Sequence, residues 1–583
     1  MVMKDNSIME KKQVKRQNII QLVLLLVLVG LLNFISHYVF HRFDLTQEKR
    51  YTLATSTKDF LKEMDDVVFM RVYLEGDNMP AGFQRLQKST KELLDEFRRY
   101  AGNNLQYEFI NPSGSPDQKT NREVYDQLAK DGLMYYNVTS QERGGEMSFP
   151  VFPAAVVSYS LHGQQLDRPV NFFKGSSSNR INDETINRAV ENLEYEFISA
   201  MRVITRDRVP SIAIIEGHGE LEKSEIASLT GALEGFYQVK RVTIGNQLSA
   251  LDEYDAIIVA DPKERFSEKD KFIIDQFILK GGKSMWLVDA SKVDLNQIAF
   301  ESETMSEGNP VVIGGMLFSY GARINSVFVQ DIQCAVIPVD VSSVDSEEPE
   351  WSLVPYVYFP LAVPRQDNPI TRNLNLIRFE FASSVDTVGD DPNIKKTVLL
   401  NSSKNSRYVR QPVRISTDIF SERLEASRFP KENLPLAVLL EGKFQSFYKS
   451  RLHEDFTESE LVNVLDESIT PTKMIVIGDG EVAKNNVIRE GGQQRIQEVG
   501  FDRFSGRTFG NKDFLLNCMN YLLDDEGVMG VRSREVRLRL MDYDQITENK
   551  AKWQLINLLI PVALVMIFGL VYVAVRRRKY AKK

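Results

Sequence analysis

Six side chains in this chain have the types that hold cations or move protons, and they recur at similar places: Glu216, His218, Glu220, Asp261, Asp289 and Asp479. The first three fall in one short run, Glu-Gly-His-Gly-Glu. The other three each follow an apolar segment: YDAIIVA before Asp261, KSMWLV before Asp289, KMIVIG before Asp479. In open α/β sheets ligands bind beyond the carboxyl ends of the strands, which is where such residues would stand. A histidine among carboxylates can take a divalent metal or serve as an acid–base set. The same acids have a plainer use, since a carboxylate just after a strand caps the next helix. The six are therefore candidates for ligand binding. None is assigned a catalytic role, and neither a metal nor a cofactor is assigned. His218 is one of five histidines in the chain and is the first residue to substitute.

Other motifs do not survive inspection. Gly281-Gly282-Lys283-Ser284 imitates the end of a phosphate-binding loop, but Phe277 stands where the first glycine is required. It also follows a helical pattern and precedes a strand, the reverse of that loop, and reads as a helix C-cap. No G-x-S-x-G elbow and no HExxH zinc motif occurs. A net charge of −8 disfavours nucleic acid, whose phosphates need clustered cations. Two cysteines, Cys334 and Cys518, are too few for a disulfide framework; they could form one bridge in an oxidising compartment, and the plainer reading is two unrelated buried thiols.

The elements that would position the six acids and bases alternate. Residues 211–217, 237–244, 254–261 and 283–289 read as strands, with helices at 225–236 and 267–279 between them. The strands are almost wholly apolar, as in a doubly wound parallel sheet buried on both faces. The pattern returns at 397–401, 435–441 and 473–478, then a helix at 511–523. One α/β domain over 209–530 is expected, with a β-rich insertion at about 291–395, its strands around 314–339 and 356–381. Before it, strand 67–74, helix 86–100 and strand 105–111 make a βαβ unit. With strand 154–161 and an amphipathic helix at 185–205 they give a thioredoxin-like α/β domain over 43–208, lacking any CxxC. Residues 531–552, where Val536, Leu538 and Leu540 alternate with Arg537 and Arg539, read as a stalk.

Two segments have the length and polarity of membrane helices. Residues 19–40 contain no formally charged side chain, and 553–575 are apolar apart from the polar groups near the start. Lys11, Lys12, Lys15 and Arg16 precede the first, and Arg576, Arg577, Arg578 and Lys579 follow the second. Basic flanks stay on the cytoplasmic side. Residues 1–18 and 576–583 are then cytoplasmic tails, and the body between the anchors is extracytoplasmic, with membrane lipid around the anchors.

Several fragments carry a family resemblance: RFDLTQEKRYTL (42–53), KELLDEFRRY (91–100), YEFINP (107–112), ENLEYEFISA (191–200), EGHGEL (216–221), PLAVLLEGKF (435–444), GNKDFLLNCMNYLLDD (510–525) and RSREVRLRL (532–540). In these, nearly the whole chain resembles the gliding-motility-associated GldG proteins of Bacteroidota, and more broadly the ABC-type transport auxiliary proteins. The resemblance implies a non-catalytic inner-membrane subunit working with a separate ABC permease and a separate ATPase, with a body that takes cargo or periplasmic envelope proteins. It also implies a central domain similar to the class I glutamine-amidotransferase fold. That fold sets a cysteine nucleophile after its third strand; Asp261-Pro262 stands at the matching place, so that chemistry is lost. The alternative is a membrane-tethered periplasmic enzyme or ligand sensor using the acidic and histidine edge.

Overall fold

The structure is a computed structural model that describes residues 19–31, 52–533 and 550–580, apart from 77–78, 143–144, 162–163, 174–180, 294–296, 299–302, 310, 312, 341, 343–349, 417–423, 450–463, 491–492 and 526. It divides into two compact units, Met1–Thr52 with Glu535–Lys583, and Leu53–Arg534. In the first unit, α1 (Ile19–Leu31) is a short apolar helix. A second helix spans Lys550–Tyr580 and continues through Pro561. Within it Lys552–Arg578 is long and apolar enough to cross a membrane. The remainder of the expected first anchor, the tail at 1–18, residues 581–583 and most of the stalk lie outside the described residues, while 576–580 of the second tail continue the helix.

The second unit begins with a lobe built on a four-stranded sheet. Its elements are α2 (Thr55–Lys62), β1 (Val68–Val72), α3 (Ala81–Ala101), β2 (Leu105–Phe109), α4 (Gln118–Lys130), the hairpin β3 (Tyr136–Glu142) and β4 (Gly145–Val151), β5 (Ala154–Leu161), β6 (Gln164–Asn171) and α5 (Asp183–Thr205). The sheet order is β2-β1-β5-β6, with β1 and β2 parallel across α3. Along α3 the buried residues are Phe83, Leu86, Thr90, Leu94 and Phe97, one stripe at three- and four-residue steps. That stripe shares a core with Ile186, Leu193, Phe197 and Met201 of α5 and with Val68, Met70 and Val72 of β1. Asn182 starts α5 by accepting a hydrogen bond from the Thr185 amide at 2.9 Å.

The larger lobe contains β7 (Ser211–Glu216), α6 (Ala227–Glu234), β8 (Gln238–Thr243), β9 (Ala256–Ala260), α7 (Glu268–Leu279), β10 (Lys283–Leu287) and α8 (Gly314–Tyr320). It continues with β11 (Cys334–Asp340), β12 (Trp351–Pro364), β13 (Ile394–Asn401), β14 (Pro435–Gly442), β15 (Thr472–Ile477) and α9 (Asn511–Leu522). The strands join in the order β11-β12-β13-β14-β15-β10-β9-β7-β8, and the two-residue strand Ile377–Arg378 pairs with β12. Successive side chains of a strand point to opposite faces, and here both faces are buried. Ile212, Ile214, Ile258, Met285, Ile475 and Leu439 pack on one side with Leu229 and Leu233 of α6 and Phe514 and Met519 of α9. Ala213, Ile215, Ile257, Val259, Trp286, Val476 and Val438 pack on the other with Ile274 and Ile278 of α7 and Leu317 and Tyr320 of α8. The result is a three-layer α/β/α lobe.

Two expectations need correction. The sheet is mixed: β8, β7, β9, β10 and β15 are parallel neighbours, whereas β14 runs antiparallel to β15, β13 to β14, and β12 to β13. An apolar strand such as PLAVLLE records burial on both faces but not direction, and antiparallel strands at the side of such sheets are common. The insertion is β-rich, as expected: β11 and β12 extend the central sheet, and two-stranded ribbons pair Ser291–Lys292 with Glu307–Gly308 and Ala322–Ile324 with Val385–Thr387. The second correction concerns where its β structure begins. Its first part, expected to be β, is the helix α8, whose apolar Met316, Leu317 and Tyr320 cover the sheet. Cys334 and Cys518 are both free.

Candidate functional site

The structure places five of the six candidates in two patches at the carboxyl ends of the parallel strands and leaves Glu216 outside both. The first follows β7. Gly217 and Gly219, at φ 114° and 75°, make a turn that a side chain would strain, and a Cβ on Gly219 would come within 3.1 Å of Lys263. The turn holds His218 against the loop after β9, whose Lys263 and Glu264 amides both donate to the His218 carbonyl at 2.8 Å. The imidazole is buried and stacked on Phe266 at 3.7 Å between ring centres. Its Nδ1 lies 3.1 Å from Glu220 and its Nε2 lies 3.2 Å from Asp270. Burial alone would lower the pKa of the ring. The hydrogen bonds to Asp270 and Glu220 outweigh burial and raise it from 6.5 to about 9. At neutral pH His218 is thus an imidazolium with both N–H groups committed. Glu216 points elsewhere and accepts from Arg241 Nε at 2.6 Å.

The second patch gathers Asp261, Asp289 and Asp479 from the neighbouring strands β9, β10 and β15, with Glu481 beside them. Asp479 is fully buried and accepts from the Glu481 amide at 2.7 Å and the Glu380 amide at 2.6 Å. Asp289 accepts from the Gly480 amide at 3.0 Å. Asp261 has left-handed backbone, φ 56°, and its carboxylate lies 2.9 Å from the Lys263 ammonium. Gly480 must be glycine, because a Cβ there would meet Asp261 at 2.6 Å. Burial pushes the Asp289 carboxyl well up, and the charges of Asp479, Asp261 and Glu481 push it further. Burial also raises Asp479 and Asp261, while Lys263 pulls Asp261 back. Asp479 has two amide donors that favour its anion and Asp289 has one, so of the two Asp289 is the less favoured anion.

The patches are joined by the backbone bonds from Lys263 and Glu264 to the His218 carbonyl and by the stacking of His218 on Phe266. Among the described residues, no three His, Cys, Asp or Glu side chains are placed to hold a metal ion. Sequence reasoning missed Asp270, Phe266, Lys263, Glu481 and Lys484. Asp270 carried a signal: Ser267-x-x-Asp270 before an apolar run is a capping-box pattern, and Ser267 does cap the Asp270 amide at 3.0 Å. The Asp270 side chain serves His218 and the Asn246 amide instead. Lys484 lies 3.0 Å from Glu481 and 3.6 Å from Glu225, a pairing made only by the folded loop.

A three-layer mixed α/β lobe joined in one chain to a membrane-length apolar helix defines the general class. The family described as an ABC-type uncharacterized transport system, the ABC transport auxiliary family, matches residues 209–518, just over half of the chain. The chain belongs to this family and is an auxiliary component of an ABC-type transport system, a setting that implies permease and ATPase partners. Residues 47–158 match a domain of unknown function (DUF7088). No curated protein matches the chain. Among solved structures, the mmIFT52 N-terminal domain is 12% identical, covering 56% of this chain and 100% of its own, with a TM-score of 0.30. A likeness that slight carries no argument about this fold.

Proposed function

We propose that the chain is a GldG-type subunit: a non-catalytic auxiliary protein anchored in the inner membrane at both ends, with both termini cytoplasmic and its body periplasmic, serving gliding motility. The family match over 209–518 carries this reading. The apolar helix Lys552–Arg578, the apolar run at 19–40 and the basic residues outside both support the topology. Two apolar helices are too few to enclose a transport path. They pack beside a separate permease, and the body stands over its periplasmic mouth to receive cargo or to pass an ATP-driven movement to envelope proteins.

The central lobe is proposed to be a relative of the class I glutamine-amidotransferase fold that has lost its chemistry. At Asp261 the chain keeps a left-handed backbone after the lobe's third strand, as a nucleophile elbow would, but bears a buried carboxylate. The alternative of an enzyme or sensor on the acidic and histidine edge is weakened by His218, whose two ring nitrogens are both engaged with carboxylates.

Purification of the tagged chain from its native membrane in mild detergent tests the proposal. A polytopic permease and a Walker-motif ATPase should co-purify in fixed ratio. Recovery of the chain alone, or with envelope enzymes instead, would sink the subunit reading.

A further inference from the structure

Beside α5, the two lobes of the body leave an open cleft. Its polar chamber has a volume of about 270 Å3, and six asparagines line it: Asn182, Asn192, Asn373, Asn375, Asn517 and Asn520. Two have duties of their own. Asn182 caps α5, and Asn373 holds φ 58°, a backbone state that asparagine tolerates better than most residues. Asn520 accepts from the Tyr237 hydroxyl at 2.8 Å. Asn517 is only 7% exposed, and its Nδ2 donates to the Ile370 carbonyl at 3.0 Å. Asn192, on α5, meets only a long 3.5 Å contact from Asn373.

The charged residues of the chamber balance. Arg188 and Arg532 face Glu196 and Asp513. Arg188 pairs with Glu184 at 2.7 Å; Arg532 gives one nitrogen to the Arg372 carbonyl at 3.0 Å and lies over the Tyr195 ring, and its buried Nη1 has no acceptor among the described residues. The four charges sum to zero, so the lining as a whole favours a neutral group whose oxygens accept from that nitrogen. Phe172, Tyr195 and Phe236 add aromatic surface, and a more apolar space of about 390 Å3 continues past Phe173, Phe236 and Leu516.

We propose that this amide-lined chamber binds a neutral saccharide. A carboxamide offers a donor and an acceptor on one planar group, which matches neighbouring hydroxyls of a sugar. Apolar and aromatic walls with a few placed polar groups are the usual make-up of small-molecule sites, and the aromatic surface suits the C–H face of a sugar ring. The proposal is independent of membrane sidedness and of the transport partners.

The test uses the full chain in lipid nanodiscs free of glycoside detergent. Calorimetric titration with glucose, maltose and N-acetylglucosamine is compared with triglycine and sulfate. At least one saccharide should saturate, and Asn192→Leu should weaken it by roughly tenfold or more while leaving the unfolding temperature unchanged. Asn517→Leu should weaken it as well. The idea fails if no saccharide saturates a folded sample, if Asn192→Leu leaves saccharide binding intact, or if triglycine or sulfate shows the variant-sensitive binding instead.

Discussion

At the end of β7, one imidazolium stands between two carboxylates; at the ends of β9, β10 and β15, three aspartates and Glu481 crowd near two lysines. The residue types are nearly the same, both patches lie at one edge of one sheet, and His218, Asp270, Asp261 and Asp479 are buried there. Their electrostatics are opposite. Around His218 each charge has an opposite neighbour at hydrogen-bond distance, so the ionised forms are favoured: the His218 pKa rises and that of Asp270, despite burial, falls. Around Asp289 like charges add to burial, and the carboxyl is driven towards its neutral form. The comparison teaches that charge balance, rather than the presence of histidine and acids, decides whether such a patch is a structural clasp or a proton store. The clasp fixes the loop after β9 to the turn after β7. The store sits beside the left-handed Asp261.

Removal of the imidazole should break the clasp with the largest effect. His218→Ala strands Glu220 and Asp270 in a buried site, and loss of one partner from such a set costs about 3–5 kcal/mol. Unfolding followed by tryptophan fluorescence reports it well, because Trp286 is fully buried in β10 while Trp351 and Trp553 are exposed. Addition of Asp270→Asn should recover part of the loss by removing one stranded charge. The wild-type clasp has a pH signature too. The folded pKa lies above the ordinary value, so its contribution is complete below pH 6.5 and is lost as pH rises towards about 9. A stability profile flat across that window, or the same in His218→Ala as in wild type, would refute the imidazolium assignment.

The proton store should respond with the opposite sign and a smaller amplitude. Asp289→Asn keeps an acceptor for the Gly480 amide and removes a charge that Asp479, Asp261 and Glu481 all oppose. A carboxyl raised in the folded state binds more protons there than in the unfolded chain, so wild-type stability falls as pH climbs above 3.8. The variant lacks that fall. Its unfolding temperature should equal or exceed wild type at neutral pH, and the gap should close on acidification. A variant clearly less stable at neutral pH would show that Asp289 works as an anion.

Much of the parallel half of the sheet was legible in the chain, because strands buried on both faces leave apolar runs and their helices leave breaks such as Gly281-Gly282. The antiparallel half was not. The strand β14 (PLAVLLEG) is an apolar, buried run as β10 (KSMWL) is, and its direction depends on where the connecting chain returns. The hairpin β3–β4 was missed because sequences such as YNVTSQE have too few apolar residues to show a period. The site shows the same limit. Positions after strands marked the six acids and bases, and even the right edge, but not their partners. Asp270 lies 52 residues from His218 and Glu380 lies 99 from Asp479. Only the fold brings these together, and they decide which groups carry charge.

Glu216 gives the smallest expected effect and the sharpest control on the comparison. By sequence it belongs with His218 and Glu220, in one run of alternating glycines. By structure it belongs to neither patch: it is half-exposed at the rim and paired with Arg241 at 2.6 Å, side-chain exposures being 22% for Arg241 and 40% for Glu216. An ion pair open to water on that scale contributes about 0–1 kcal/mol. Glu216→Ala should therefore change stability by no more than that, leave the alkaline profile set by His218 intact, and leave recovery of the permease and ATPase unaffected. A large loss of stability would mean that the run acts as one network rather than a clasp with a surface neighbour. Loss of partner recovery with stability retained would move the functional edge from the buried carboxylates to the exposed rim of β7.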